Sequence, residues 1–391
     1  MIYLDNNATT PVDPEVYDAV FSSLKRDIGN PSSSHLCGRK VREVIENSRE
    51  SVASLLGCSS GEVYFTSGGT ESNNLALIGA ALFHKAGHII TSTVEHPSVV
   101  QACRHLESLG FEVTYVPVDG DGIVRQDDIK NSITAKTILI SVMHSNNETG
   151  VIQPVEEIGT LARERGITFH VDAAQSVGKM QFTVAGSSID LLTVVSHKFY
   201  GPKGVGALYV GSGKELRPIL FGAGHERGLR PGTENVAGIA GFGKACQIAK
   251  RDIKLRVSHT THLRDLLFQE LKSSVPDATL NGHKTQRLPN TLNIRMRGIS
   301  SHELVETIRD RVAASTGSAC HSGRLTPSGV LKSMGLSDEE ALSSIRLSVG
   351  KDNTEEEIRK AAAIIAEAVG TLRKKSEAVS PASRESSTEA R

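Results

Sequence analysis

The chain has 391 residues, with 44 basic and 44 acidic side chains and a formal net charge of zero. This length is too great for one compact core and predicts two domains. The charge balance argues against a nucleic-acid-binding protein, and no apolar run approaches the ~20 residues of a membrane span. The start, MIYLDNNATTP, lacks the basic residues and apolar stretch of a signal peptide, so we predict a cytoplasmic protein.

Short apolar runs alternate with helical stretches between about residues 60 and 210. The predicted strands are EVYF, HIITST, FEVTYVPV, TILISVMH, ITFHV and LLTVV. Such alternation predicts an α/β fold with a mainly parallel sheet and helices on both faces.

The pattern changes after about residue 250 to a helix, LRDLLFQELKSSV, and the strand-like pieces TLNIRM and SIRLSVG. These elements predict a smaller α+β domain. The last helix follows Thr354 and Glu357, which have the spacing of a capping box. We assign a large cofactor-binding domain to 12–250, a small domain to 1–11 and 251–375, and a disordered tail to 376–391.

The five cysteines are widely spaced and include no C-x-x-C pair, so we expect neither a disulfide framework nor a metal site. Cys103 and Cys246 fall within helical patterns, which favours core packing. Cys37 and Cys58 lie near turn signals. Cys320, in STGSACHSGRLTPS, lies among small and polar residues typical of an exposed, mobile loop. It is a passenger, a metal ligand or a nucleophile.

Polar residues follow the predicted strands at the edge where parallel sheets bind ligands. They are Ser67, Gly68, Gly69, Thr70, Glu95, His96, Asn146, Asn147, Asp172, Gln175, His197 and Lys198. Together they predict one pocket.

Three features of this edge match the needs of one cofactor. TSGGTES is either a plain helix cap or an anion site at a helix N-terminus. Lys198, in SHKFYGPKG, is either a solvated loop charge or the lysine that bonds an aldehyde cofactor, with Lys203 as its competitor. Asp172 is either a cap or the partner of a cation. A phosphate site, a reactive lysine and an anion beside the ring nitrogen are all required by pyridoxal 5'-phosphate.

Ordered motifs between residue 2 and about 370 resemble the NifS/IscS-like cysteine desulfurases and the related selenocysteine lyases. They are LDNNATTP, TSGGTESNN, EHPS, NNETG, HVDAAQSVGK, SHKFYGPKG, GHERGLRPGTEN, STGSACHS and SSIRLSVG. The resemblance implies a fold type I pyridoxal-phosphate enzyme with a seven-stranded type of sheet, a homodimer, and conversion of L-cysteine to L-alanine. It also implies a sulfur-acceptor protein, such as an iron–sulfur scaffold or a tRNA-thiolation protein.

The same resemblance implies roles for individual residues. Lys198 is the cofactor-bonding lysine, His96 stacks on the ring and moves protons, and Cys320 is the nucleophile that becomes a persulfide. Asn147 and Arg346 hold the substrate carboxylate, and Thr233 reaches the phosphate of the other subunit. The implied cofactor contacts are Gly69, Thr70, His96, Asn147, Asp172, Gln175, Ser196, His197, Lys198 and Thr233.

One position departs from the desulfurase pattern, because Val195 replaces a phosphate-binding serine. Selenocysteine lyases are more similar at this valine and at RPGTEN and ACHS. Desulfurases are more similar at GPKGVG and at the longer GRLTPSGVLKSMG. A cysteine desulfurase is the first hypothesis and a selenocysteine lyase the alternative. Two other classes stay open. In a transaminase-like enzyme Cys320 would have no catalytic role, and in a non-catalytic scaffold it would only contact a partner.

Overall fold

The computed structural model describes residues 1–317, 319–321 and 324–379, and it describes no side chain at 319–321, 324–325 or 377–379. The strands are β1 (Ile2–Tyr3), β2 (Val63–Thr66), β3 (His88–Ser92), β4 (Glu112–Val116), β5 (Thr137–Ser141), β6 (Thr168–Asp172), β7 (Leu191–Val195), β8 (Gly206–Val210), β9 (Thr279–Leu280), β10 (Thr291–Arg295), β11 (Val312–Ala313), β12 (Ser315–Thr316), β13 (Ala319–His321), β14 (Arg324–Thr326) and β15 (Ser344–Ser348).

Helices of very different lengths connect these strands. They are α1 (Pro14–Arg26), α2 (Leu36–Leu56), α3 (Gly69–His84), α4 (Pro97–Ser108), α5 (Gln126–Ser132), α6 (Val155–Glu164), α7 (Val236–Ser274), α8 (Ser301–Ile308), α9 (Gly329–Ser333), α10 (Asp338–Leu342) and α11 (Glu355–Val379). Within the described ranges, no helix has the length and apolar content needed to cross a membrane.

A seven-stranded sheet in the order β2-β8-β7-β6-β5-β3-β4 forms the centre of the large unit. Strands β3 to β7 pair in parallel, whereas β8 pairs antiparallel with both β7 and β2. This sheet confirms the predicted mainly parallel α/β architecture. Strand β8 was absent from the predicted strands.

Both faces of the large sheet are buried because neighbouring residues on each strand enter opposite hydrophobic clusters. Ile90 and Ile140 pack in a cluster with α2, α6 and the start of α7. Ile89 and Leu139, one residue earlier on the same strands, pack with α3 and α4 on the other face. The period of two along a strand therefore explains why these strands are apolar throughout.

A second core lies around the four-stranded antiparallel sheet β12-β15-β10-β9. The N-terminal residues Ile2 and Leu4 belong to this core, where β1 pairs in parallel with β11. The 39-residue helix α7 contributes to both cores: Ile239–Ala249 lie in the first cluster and Leu263–Leu271 in the second. The proposed boundary at residue 250 thus falls within a continuous helix.

The capping box before α11 is confirmed. The Glu357 N–H donates to Thr354 Oγ1 at 3.2 Å, and the Thr354 N–H donates to Glu357 Oε2 at 3.2 Å. The helix continues to Val379, so its last four residues lie within the range 376–391 that was assigned to the tail. The remainder of that tail, 380–391, lies outside the described residues. Cys103 and Cys246 are fully buried, as predicted.

Candidate active site

A cavity of about 390 Å³ lies where the carboxyl ends of β3, β5, β6 and β7 meet. Nine residues assigned to the site from the sequence line it, namely Gly69, Thr70, His96, Asn147, Asp172, Gln175, His197, Lys198 and Arg346. Its remaining lining is Asn7, Ala8, Asn73, Ser98, Met143, Ser145, Ala174 and Val195. The volume is within the range of small-molecule sites in proteins.

The N-terminus of α3 forms one wall of the cavity. Gly68, the N-cap, has a φ of 146°, a backbone conformation that favours glycine, and it provides no side-chain cap for the first helical N–H groups. Gly69 and Thr70 follow at the first two helical positions. A Cβ at Gly69 would lie 2.8 Å from Val195 Cγ2, so an alanine there would force this wall to shift. Uncapped N–H groups and the helix dipole make this wall suited to an anion.

Lys198 lies in the 3-10 turn that follows β7. Its Nζ donates to the backbone carbonyls of Asn7 at 2.7 Å and Ala8 at 2.8 Å. Burial, reinforced by the positive charge of Arg346, lowers the pKa of this amine to about 8. Lys203, the competing lysine, is exposed and does not line the cavity.

Asp172 ends β6 and is buried against the cavity. Its Oδ1 accepts the Ala174 N–H at 3.0 Å, and its Oδ2 accepts Nδ2 of Asn73 at 2.7 Å. This carboxylate is oriented from two sides and still lines the cavity. It fits the role of partner to a cationic ring nitrogen.

Asn7 connects several groups of the site through its backbone and side chain. Its carbonyl accepts Nε2 of Gln175 at 3.0 Å in addition to the Lys198 amine. Its Oδ1 accepts Nζ of Lys179 at 2.9 Å, and the same amine donates to Gln175 Oε1 at 2.6 Å. Burial, with the nearby charges of Lys198 and Arg346, lowers the pKa of Lys179 well below its ordinary value. Lys179 therefore fixes which end of the Gln175 amide faces the cavity.

Arg346 lies in β15 of the second core and reaches the cavity from that side. Its guanidinium donates to Asp5 Oδ1 at 2.7 Å and to the carbonyl of Asn147 at 3.0 Å. Nε of Arg346 is buried and has no hydrogen-bond partner within the described residues. The guanidinium is held in place by these contacts and retains hydrogen-bonding capacity.

His197 lies beside Lys198 and shares its surroundings. Its Nδ1 is 3.1 Å from Thr9 Oγ1. Burial, together with the positive charges of Lys198, Lys203 and Lys179, lowers the pKa of this imidazole to about 4. His197 is therefore neutral near pH 7 and suited to hydrogen bonding rather than to charge pairing.

Two residues assigned to the site whose side chains the structure describes, Ser196 and Thr233, do not line the cavity. Ser196 is fully buried; its Oγ has no partner within the described residues, and a side chain at Gly201 would collide with it. The lining residues on either side of it are Val195, His197 and Lys198, and a contact between Ser196 and a cofactor stays a prediction. Thr233 is exposed in a loop, and its predicted contact involves another subunit.

The backbone of Cys320 lies in β13, which pairs with β14 as a hairpin, and the exposed, mobile character of this segment stays a prediction. Its side chain is outside the described part of the structure. Glu148 contacts both flanks of this hairpin: Ser328 Oγ donates to Glu148 Oε2 at 2.5 Å, and a side chain at Gly317 would collide with the same oxygen. Burial raises the pKa of Glu148. Glu148 thus anchors the segment that carries Cys320.

Sequence reasoning missed Asn7, Asn73, Ser98 and Lys179. Each lies in a recognised motif, LDNNATTP, TSGGTESNN, EHPS or HVDAAQSVGK. Asn7, Asn73 and Ser98 have neutral side chains, and Lys179 lies in the turns after β6, away from the strand end. Helical spacing offered one signal, since Asn73 follows Thr70 by three residues and so shares its face of α3.

Comparisons with known proteins match most of the chain. The aminotransferase class-V family model matches residues 2–360. The cysteine desulfurase IscS of Dictyoglomus turgidum is 46% identical over 360 residues, which cover 91% of each chain. The solved structure of a NifS-like protein is 36% identical, with a TM-score of 0.89 over 95% of this chain and 99% of that chain. SspA in complex with cysteine is 35% identical, with a TM-score of 0.80 over 90% of this chain and 100% of that chain.

The family model and the relative at 46% identity each span most of the chain, and the structural neighbours share both cores. The chain therefore belongs to the aminotransferase class-V family, among its NifS/IscS-like cysteine desulfurases.

Proposed function

We propose that this chain binds pyridoxal 5'-phosphate in the cavity and converts L-cysteine to L-alanine, with Cys320 taking up the sulfur. The observation that carries the proposal is the Lys198 amine, whose pKa is about 8, in one cavity with Asp172 and the N-terminus of α3. The relatives named cysteine desulfurase support the choice of substrate.

The residues present fit the cofactor. The uncapped N–H groups of α3 and the hydroxyl of Thr70 suit its phosphate, and Asp172 suits its ring nitrogen. Gln175 is oriented by Lys179 to present its amide beside the ring. When bound, pyridoxal phosphate supplies an aldehyde for the lysine and a protonated ring that withdraws electrons from the substrate Cα.

Lys198 and Arg346 act on the amino acid substrate. The guanidinium of Arg346, held by Asp5, pairs with the substrate carboxylate and so orients its Cα. The Lys198 amine accepts the Cα proton, because a pKa near 8 leaves a substantial neutral fraction at physiological pH. Neutral His96 and His197 surround the reacting groups without adding positive charge.

Cys320 accepts the sulfur. Its thiolate attacks the substrate sulfur, the C–S bond breaks as an S–S bond forms, and the products are a Cys320 persulfide and alanine. An ordinary thiol with a pKa of ~8.5 is about one-tenth ionised near pH 7.5, which is enough for this attack. Glu148 holds the flanks of the segment, so the hairpin is tethered at its base. A sulfur-acceptor protein, of the iron–sulfur assembly or tRNA-thiolation type, then removes the outer sulfur.

One alanine assay with two substrates tests this function. We expect wild-type protein to form alanine from cysteine, and Cys320→Ser to abolish that reaction while retaining a measurable part of the selenocysteine reaction. Selenium leaves more readily because a selenol is more acidic than a thiol and the carbon–selenium bond is weaker. The control is Cys37→Ser, an exposed cysteine outside the cavity, which should keep wild-type rates.

Two results of this assay would contradict the proposal. Negligible turnover of cysteine beside selenocysteine would make the chain a selenocysteine lyase, the alternative raised by Val195. An intact cysteine reaction in Cys320→Ser would show that Cys320 is not the nucleophile.

We also propose that the enzyme is a cytoplasmic homodimer. Helix α1 exposes Tyr17, Phe21 and Leu24 at 62%, 57% and 70%, a stripe of helical spacing about 100° around the helix from buried Val16. Phe221 is 88% exposed in the loop that leads to Thr233. We propose that a second copy covers these side chains and that Thr233 of one copy contacts the cavity of the other. Sedimentation of wild type and Phe221→Glu tests this: a dimer weakened by the charge is expected, and a wild-type monomer would contradict it.

A further inference from the structure

His96 begins α4 as its N-cap, and one of its ring nitrogens is occupied by that role. The Ser98 N–H donates to His96 Nδ1 at 3.1 Å, and the Ser98 hydroxyl oxygen lies 2.8 Å from the same nitrogen. Nδ1 of His96 therefore contacts both the backbone N–H and the hydroxyl of Ser98. Nε2 makes no hydrogen bond within the described residues and is the ring nitrogen left for the cavity.

The direction of the hydroxyl hydrogen bond follows from Asn73. Nδ2 of Asn73 lies 2.7 Å from Asp172 Oδ2 and 2.8 Å from Ser98 Oγ. A carboxylate only accepts, so the Asn73 amide must turn its NH2 group towards Asp172. The second hydrogen of that NH2 group then points to Ser98 Oγ. Because this oxygen accepts from Asn73, its own hydrogen is free to donate to His96 Nδ1.

We propose that Asn73 and Ser98 are positioning residues that hold neutral His96 with its proton on Nε2, so that the ring presents an N–H donor to the cavity rather than a base. Nδ1 receives the Ser98 N–H and O–H and has no place for a proton of its own. The negative charge of Asp172 thus determines the tautomer of His96 through two neutral side chains. The role in catalysis rests on the proposed function, whereas the tautomer does not.

The charges around His96 agree with a neutral ring. Burial and the positive charge of Lys198 lower the pKa of His96, and the negative charge of Asp172 opposes them. The N-terminus of the 12-residue helix α4, which His96 caps, also disfavours an imidazolium. His96 then donates a hydrogen bond in the cavity, and the Lys198 amine is the group that accepts a proton.

The test is nitrogen NMR of the full-length protein without cofactor, with ¹⁵N-labelled histidine and His96 assigned by its substitution to glutamine. We expect Nε2 protonated and Nδ1 unprotonated in the wild type. In Ser98→Ala, which loses one hydrogen bond to Nδ1, the fraction protonated at Nδ1 should rise about fivefold. The pKa of His96 should also rise, because one donor no longer opposes protonation of Nδ1.

Two further variants separate this mechanism from a general loss of structure. Ser98→Thr retains the hydroxyl, so its His96 spectrum should match that of the wild type. Asn73→Ala leaves the Ser98 hydroxyl free to rotate, so its His96 spectrum should shift towards that of Ser98→Ala. A proton on Nδ1 in the wild type would overturn the proposal, as would identical His96 signals in wild type, Ser98→Ala and Asn73→Ala. The spectra are recorded without cofactor or substrate, so loss of desulfurase activity and loss of the tautomer are distinguishable.

Discussion

Lys198 should react with pyridoxal phosphate at a pH where an exposed lysine is almost inert. The pKa of its amine is lowered from 10.5 to about 8, first by burial and then by Arg346. Only the neutral amine attacks an aldehyde. At pH 7.5 about one quarter of such amines are neutral, against about one in a thousand at a pKa of 10.5. At pH 7.5 the neutral fraction of the Lys198 amine is therefore roughly 240 times that of an amine with a pKa of 10.5.

The sign of the pH dependence follows from the lowered pKa. Attachment to Lys198 should increase about tenfold per pH unit well below pH 8 and level off above pH 9. Removing the charge of Arg346 or of Asp5 should shift the pH midpoint of attachment in opposite directions. Arg346→Gln removes a positive charge and should move the midpoint to higher pH, whereas Asp5→Asn removes a negative charge and should move it to lower pH.

The assay uses protein freed of cofactor, a brief exposure to pyridoxal phosphate at each pH, reduction with borohydride and peptide mapping. Exposed Lys203, five residues along the chain, is the internal reference in the same digest. Equal modification of Lys198 and Lys203 at pH 7.5, or a Lys198 midpoint near 10.5, would refute the reasoning. Midpoints that move in the same direction in both variants would show that local charge does not set this pKa.

Three further predictions concern binding and stability. Arg346→Ala should raise KM for cysteine far more than it lowers kcat, with kcat/KM reduced roughly 30- to 150-fold, or ~2–3 kcal/mol, in steady-state assays; an unchanged KM would make Arg346 structural. Glu226→Gln should lower the free energy of unfolding by about 3–5 kcal/mol in denaturant titrations, because it leaves the Arg49 charge, 3% exposed, without its buried ionic partner and paired only with the exposed Glu46; a change below 1 kcal/mol would contradict this. Val195→Ser, which places a hydroxyl beside Gly69, should tighten pyridoxal phosphate about 5-fold in dialysis against its matched control Val195→Ala, and equal retention in the two variants would show that the hydroxyl reaches no phosphate.

The sequence predicted the sheet and most of the cavity because both follow from local pattern. Apolar strands with a polar residue after each, such as Asp172 and Lys198, need no tertiary information. The burial of Ser196 was not evident from the sequence, because a shift of one residue along a turn reverses the direction of a side chain. Asn7 was missed because its partners lie 140 to 341 residues away, and its amide has no chemistry that singles it out. The continuity of α7 was missed because its two halves face different cores.

The position of the first residues has a consequence for synthesis of the chain on the ribosome. Asn7 donates its N–H to Ser348 Oγ, a partner 341 residues later, and Asp5 pairs with Arg346. At 5–20 residues per second, the N-terminal residues wait roughly 20–70 s for these partners to be translated. The large sheet completes earlier, at Val210. The N-terminus of α3 and Lys198 are therefore synthesised well before Arg346, so the side of the cavity that Arg346 lines is the last to be completed.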